Sequence, residues 1–209
     1  MSASSPAPAV LTPAGDMAVR TLMLSFAQHR RSEAALARQP VILGRLHVLP
    51  PDSLKSRARR ETALVRAVSI TESYVHRELQ GRLGAQAPTP RTKLIETLYG
   101  QAEDRATGSW DEAANFYKTY VDGTKIKSFT NWESVYAIIE ARNSVIHGLG
   151  RFTPRQLRRG VNTKVAPQLA ALGFSLDVPQ LRLNVTTSGL DASVSMLRSY
   201  LVWLDGELP

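Results

Sequence analysis

Apolar residues recur three and four positions apart over most of the chain, the spacing that gathers them on one side of an α-helix. The longest such pattern runs from Asp52 to about Leu83, with Leu64, Val68, Val75 and Leu79 along one side and Gly84 placed to end it. Leu190, Val194, Leu197, Leu201 and Leu204 make a second stripe, closed by Gly206. Asp16 is placed to cap a helix reaching about Gln39, where Pro40 stops it, with Leu22, Phe26 and Leu36 among its apolar positions. Thr89-Pro90 opens a shorter helix to about Tyr99. Ser109-x-x-Glu112 is a capping box for a helix through Val121, with Gly123 as its terminator. Thr130-x-x-Glu133 is a second box, for a helix from Asn131 to His147 that Gly148 and Gly150 end. Thr153-Pro154 opens a helix interrupted near Gly160 and Pro167, and residues 174–187 alternate weakly through Leu181, Leu183 and Val185, as a short hairpin would. The pattern therefore predicts an all-α fold, a helical bundle with a short β-hairpin near the C-terminus. Residues 1–15, rich in Pro, Ala and Ser, read as a disordered tail. Residues 16–50 read as an N-terminal helix followed by an extended connector between prolines, and residues 51–209 as the helical domain.

Composition narrows the function. The chain has 209 residues, 43% of them hydrophobic and 21% charged, enough to bury a core. There is no apolar run of the ~18 residues a membrane span needs. The first ten residues carry no positive charge and no long apolar stretch follows, which argues against a signal peptide and for the cytoplasm. With no cysteine, disulfides, thiolate metal sites and a cysteine nucleophile are excluded. The four histidines, His29, His47, His76 and His147, form neither H-x-x-x-H nor H-E-x-x-H, so a zinc hydrolase is not expected. The net charge of +8 is concentrated in residues 1–60 and 121–180, a field that attracts phosphate backbones. Solubility alone accounts for such a charge equally well.

Helix 131–147 departs from ordinary amphipathicity. At ~100° per residue, Val135, Tyr136, Ile138, Ile139, Val145 and Ile146 form one arc, and Glu133, Ala137, Glu140, Ala141 and Ser144 lie opposite. Arg142 and Asn143 fall inside the apolar arc and His147 on its border. A buried unpaired charge or amide costs several kcal/mol. Two explanations follow. Either Arg142 snorkels or pairs with a buried carboxylate such as Glu72, or this face borders a polar cleft or a partner subunit.

The run Arg142-Asn143-Ser144-Val145-Ile146-His147 resembles the R-x4-H motif of the HEPN superfamily, in the form R-N-x-x-x-H, late in a helix of an α-helical bundle. The match covers about Trp132–Phe152, including Gly148-Leu149-Gly150, and is most similar to stand-alone bacterial HEPN proteins of toxin–antitoxin and phage-defence systems. The resemblance implies a metal-independent endoribonuclease without a cofactor, acting as a toxin or defence effector. It implies a homodimer whose two motifs face each other in one composite site, with an antitoxin or regulatory protein as a further partner.

The chemistry suits those residues. Cleaving RNA internally needs a base for the 2′-hydroxyl, an acid for the leaving 5′-oxygen and a cation for the charge growing on phosphorus. His147 is the candidate acid/base, Arg142 the phosphate clamp, and Asn143, one turn before His147, the orienter of the imidazole. Arg151, Arg155, Arg158, Arg159, Lys125 and Lys127 are candidates to hold the strand, and Tyr117, Tyr120, Tyr136 and Phe152 to stack on bases. Each has a plain alternative, a solvated helix face for the charges and core packing for the aromatics. His147 is equally placed as a simple C-terminal capping histidine. The Arg57–Arg60 cluster reads as an exposed helix face. A dinucleotide fingerprint, a P-loop and a nucleophile elbow are all missing from the sequence. The rivals to an enzyme are a non-catalytic RNA- or nucleotide-binding module and a protein-interaction domain on the same fold.

Overall fold

The computed structural model describes residues 10–38, 54–86, 92–177 and 181–208. Eight helices and one small hairpin follow one another in these segments: α1 (Pro13–Ala37), α2 (Leu54–Gln86), α3 (Lys93–Ala106), α4 (Trp110–Tyr120), α5 (Trp132–Gly148), α6 (Pro154–Arg158), α7 (Val161–Ala171), β1 (Ser175–Asp177), β2 (Arg182–Asn184) and α8 (Thr187–Glu207). The expected all-α bundle with a C-terminal hairpin is the architecture found. The two stripes read from the sequence are its centre: Leu64, Val68, Val75 and Leu79 of α2 and Leu190, Val194, Leu197, Leu201 and Leu204 of α8 are all buried. Together α2 and α8 carry α1 on one side and α5 on the other, and α7 closes over α5. β1 and β2 pair antiparallel, Leu176 opposite Leu183.

Several boundaries differ from the sequence reading, each for a physical reason. α1 begins at Pro13, ahead of Asp16, because Thr12 is its cap: the Thr12 hydroxyl accepts the Gly15 N–H at 3.0 Å. The Asp205 carboxylate of α8 then accepts from the Thr12 N–H at 2.7 Å, the Thr12 hydroxyl at 2.6 Å and the Tyr74 hydroxyl at 2.6 Å. α2 passes through Gly84, whose helix propensity is poor but whose neighbours carry the turn on to Gln86. α3 starts after Thr92, which caps Ile95, and extends beyond Tyr99 to Ala106. The Ser109 cap forms as expected, its hydroxyl accepting the Glu112 N–H at 3.2 Å. The Thr130–Glu133 box does not: Asn131 precedes α5 and makes no side-chain cap. Gly160, at φ +62°, breaks α6 from α7, whereas Pro167 lies inside α7. The 40–51 connector and Thr89-Pro90 lie outside the described residues.

The Arg57–Arg60 cluster is a brace rather than an exposed face. Arg57 donates to Glu61 at 2.7 Å and to the Leu183 carbonyl at 3.1 Å, while Arg60, 5% exposed, donates to the Val185 carbonyl at 2.6 Å. These carbonyls belong to the middle of β2 and to the residue just after it, and arginine supplies the donors that hold the hairpin against α2.

Candidate functional site

α5 is packed by neighbouring helices on two sides. The side assigned to solvent from the sequence is buried: Ala137, Ala141 and Ser144 are fully covered and Glu140 nearly so. Small side chains there let neighbouring helices approach closely. Glu140 and Ser144 are tolerated because α6 brings partners. Gln156 donates its amide to the Glu140 carboxylate at 2.6 Å and to the Glu140 carbonyl at 3.0 Å, and accepts from the Ser144 hydroxyl at 3.2 Å and the Thr153 N–H at 2.9 Å. Most of the opposite apolar arc is also used within the chain, since Val135, Ile138 and Ile139 are core. Ile146 and Leu149, at the end of the helix, stay 41% and 85% exposed.

Between these two packed sides, one edge of α5 faces a cleft of about 680 Å³. Tyr136, Asn143 and His147 line it from α5, Arg155 and Arg159 from α6 and its C-cap, and Lys127 and Asp111 from the opposite rim. Trp110 and Trp132 form its inner wall, their rings 5.6 Å apart. Arg142 enters from the flank. Its guanidinium donates to the Glu72 carboxylate at 3.0 Å and to the Asn143 amide oxygen at 3.1 Å, while Nε has no partner among the described residues. Glu72 also accepts the Trp110 indole N–H at 3.1 Å. Lys127 pairs with Asp111 and lies 5.9 Å from the Trp132 ring centre, and this hydrogen bond holds the Asp111 carboxyl below the usual carboxylate range.

The structure thus brings together the motif residues Arg142, Asn143 and His147 with Arg155, Arg159 and Lys127, and leaves the other strand-binding candidates elsewhere. Arg151 is exposed and bridges to Arg182 of the hairpin; Arg158 and Lys125 are exposed away from the cleft. Asn143 is turned toward Arg142, so its oxygen serves the guanidinium rather than the imidazole. His147 is exposed and makes no hydrogen bond among the described residues. Of the aromatic candidates, Tyr136 lines the cleft; Tyr117 is core and donates to the Val75 carbonyl at 2.7 Å; Phe152 is buried; and Tyr120 packs on Phe116 at the surface. Sequence reasoning missed Asp111, Trp110, Trp132, Glu140 and Gln156 at the site. Only Gln156 carried a readable signal, the capping pattern Thr153-x-x-Gln156, which forms in full.

Burial first, then the Glu140 carboxylate one turn along α5, push the Tyr136 hydroxyl up to about 12. Among the described residues no group of three His, Asp or Glu side chains is placed to hold a metal ion, and no helix is long and apolar enough to cross a membrane. What the cleft offers chemically is the exposed cations of Arg155 and Arg159, two further cations paired to Asp111 and Glu72, one exposed imidazole and an aromatic wall. Comparison with family models, with curated proteins and with solved structures finds no match to this chain.

Proposed function

We propose that this chain is a metal-independent endoribonuclease of HEPN type, a cytoplasmic toxin or phage-defence effector that acts on RNA. The observation that supports this reading is the convergence of Arg142, Asn143 and His147 with Arg155, Arg159 and Lys127 on one cleft. A cleft with that many cations and a free imidazole suits a phosphodiester.

In the proposed reaction the RNA 2′-oxygen loses its proton to a base and attacks phosphorus. The bond from phosphorus to the 5′-oxygen breaks, and that oxygen takes a proton from an acid. The products are a 2′,3′-cyclic phosphate and a 5′-hydroxyl. An imidazole titrates near neutrality and serves either step. Arg142 stabilises the charge that grows on the phosphoryl oxygens. One histidine does not serve both steps at once, so a homodimer supplies the second. The exposed Ile146 and Leu149 beside His147 suit such a contact. An antitoxin or regulatory protein completes the proposal as the partner that restrains the site.

The test is cleavage of total RNA and a transfer-RNA pool in chelator by the wild type, His147→Ala and Arg142→Ala. Wild-type cleavage leaving cyclic-phosphate ends, lost in both folded variants, supports the reading. Equal cleavage by all three removes it. The Arg142–Glu72 ion pair favours a second reading, a non-catalytic module in which Arg142 holds α5 to α2. That reading expects Arg142→Ala to unfold the protein and RNA to remain intact.

A further inference from the structure

The proposed chemistry uses the end of the cleft near His147 and leaves the other end unexplained. There the wall is aromatic, but its rings are not equivalent. Trp110 and Trp132 pack on each other and on Tyr200, and Lys127 lies over Trp132. Tyr136 has no aromatic partner among the described residues, is partly exposed, and opens onto the cleft. Glu140, one turn along α5 and held by Gln156, lies within electrostatic reach of its hydroxyl. Asp111 and Arg159 lie close enough to act on its ionisation, one an acceptor and the other a donor.

Tyr136 precedes His147 by eleven residues, three helical turns on the same side of α5, a rise of roughly 16 Å. That is the position of a nucleotide further along the strand, not of the one being cut. A flat, accessible ring in a cleft that also holds arginines is how proteins hold unpaired bases, and a base already stacked in an A-form duplex cannot reach it.

On the reading of the site given above, we infer that Tyr136, with Asp111 and Arg159 in the same cleft, is a stacking seat for an unpaired nucleobase a few nucleotides from the cleaved linkage, so that the cleft takes single-stranded RNA. Asp111 accepts from an amino edge of the seated base, and Arg159 meets the following phosphate or a carbonyl edge.

The experiment uses a fluorescein-labelled 2′-O-methyl oligonucleotide, which this reaction cannot cleave, and reads affinity by anisotropy with the full chain. The wild type is measured on the single strand, on the same sequence as a blunt duplex, and on strands carrying one abasic position at each site in turn. Tyr136→Leu, Tyr136→Phe and Arg142→Ala are measured on the intact strand, and Tyr136→Leu also on the abasic strands. The seat predicts that the single strand binds at least tenfold tighter than the duplex. One abasic position and Tyr136→Leu should each weaken binding by about 5- to 150-fold, the equivalent of ~1–3 kcal/mol for one stacked base. The two losses should not add when combined, and Tyr136→Phe, which keeps the ring, should lose far less. The abasic series alters no residue of the protein, so a misfolded Tyr136→Leu does not decide the matter. A strand that binds, and weakens with Arg142→Ala but with neither Tyr136→Leu nor any abasic position, overturns the seat and leaves the ribonuclease reading standing. No binding by the wild type overturns both.

Discussion

Two carboxylates of this protein look alike in sequence and do opposite work. Asp205, 4% exposed, accepts from Thr12 twice and from Tyr74, all neutral donors of the chain itself. Glu72 accepts from Arg142 and Trp110 at the edge of an open cleft, and the guanidinium it holds keeps one donor, Nε, unpaired. A polar network that closes on itself is structural, because each member satisfies another and none is left to meet a ligand. A network that places a permanent charge on the wall of a cleft has the makings of a site. The Arg142–Glu72 pair therefore joins the two explanations offered by the sequence: the arginine is paired, and it also borders a cleft.

Substitutions separate the two networks. Asp205→Ala leaves the buried Tyr74 hydroxyl without its acceptor and unfastens the start of α1 at Thr12, and should cost about 1–3 kcal/mol of stability in urea denaturation, without changing cleavage per folded molecule. Gly15→Ala should mimic it, since an added Cβ would lie 2.3 Å from an Asp205 oxygen. A mild effect of Asp205→Ala would break the contrast.

Arg142→Ala should show the reverse balance. Rate falls about 10²–10³-fold, as for loss of a charge-stabilising donor, while the stability cost stays near ~1 kcal/mol because the pair is partly solvated. A variant that unfolds instead would place Glu72–Arg142 with Asp205 as structural.

Glu72→Gln sharpens the same point. It keeps an acceptor for Trp110 but releases Arg142 from its counter-charge, so the 2′-O-methyl strand should bind a few-fold tighter, read by anisotropy at fixed salt. Weaker binding would mean that Glu72 is needed to aim the guanidinium.

The smallest effects are in pH. His29 and His76 are held below the usual histidine value, mainly by burial, so the folded state disfavours their charged forms. Between the folded and unfolded values the unfolded chain binds more protons. Stability from these groups is present above about pH 6.5 and is lost as pH falls below it, which urea melts from pH 7.5 to 5 should register. Tyr136 runs the other way: its hydroxyl is raised, so its contribution holds below about pH 10 and fades as pH climbs toward 12. Tyr136→Phe should remove that alkaline slope.

Much of this was legible in the chain. The α2 and α8 stripes, the hairpin, the placing of Arg142 on an unsuitable arc and even its partner Glu72 follow from spacing alone. The rest depended on residues far apart in sequence. Thr12 rather than Asp16 starts α1 because Asp205 waits at the other end of the chain. Arg60 is buried because Val185 offers it a carbonyl. Ala137, Ala141, Ser144 and Glu140 looked solvent-facing because small and polar residues read that way, but α7 and Gln156 cover them. Asn143 looked like a partner for His147 on helical spacing, and its oxygen was taken by the nearer guanidinium.

The Thr12–Asp205 bond spans 193 residues, and this has a consequence for synthesis. α1 leaves the ribosome before the other helices described, and the carboxylate that fastens its start is translated 193 residues later. Until α8 emerges, the fastening is missing and the apolar side of α1, with Leu22 at its centre, rests on α2 alone. Such long-range closure slows folding and exposes intermediates. A nascent chain stalled before Asp205 should be cut by protease within α1, and one stalled after α8 has cleared the tunnel should not.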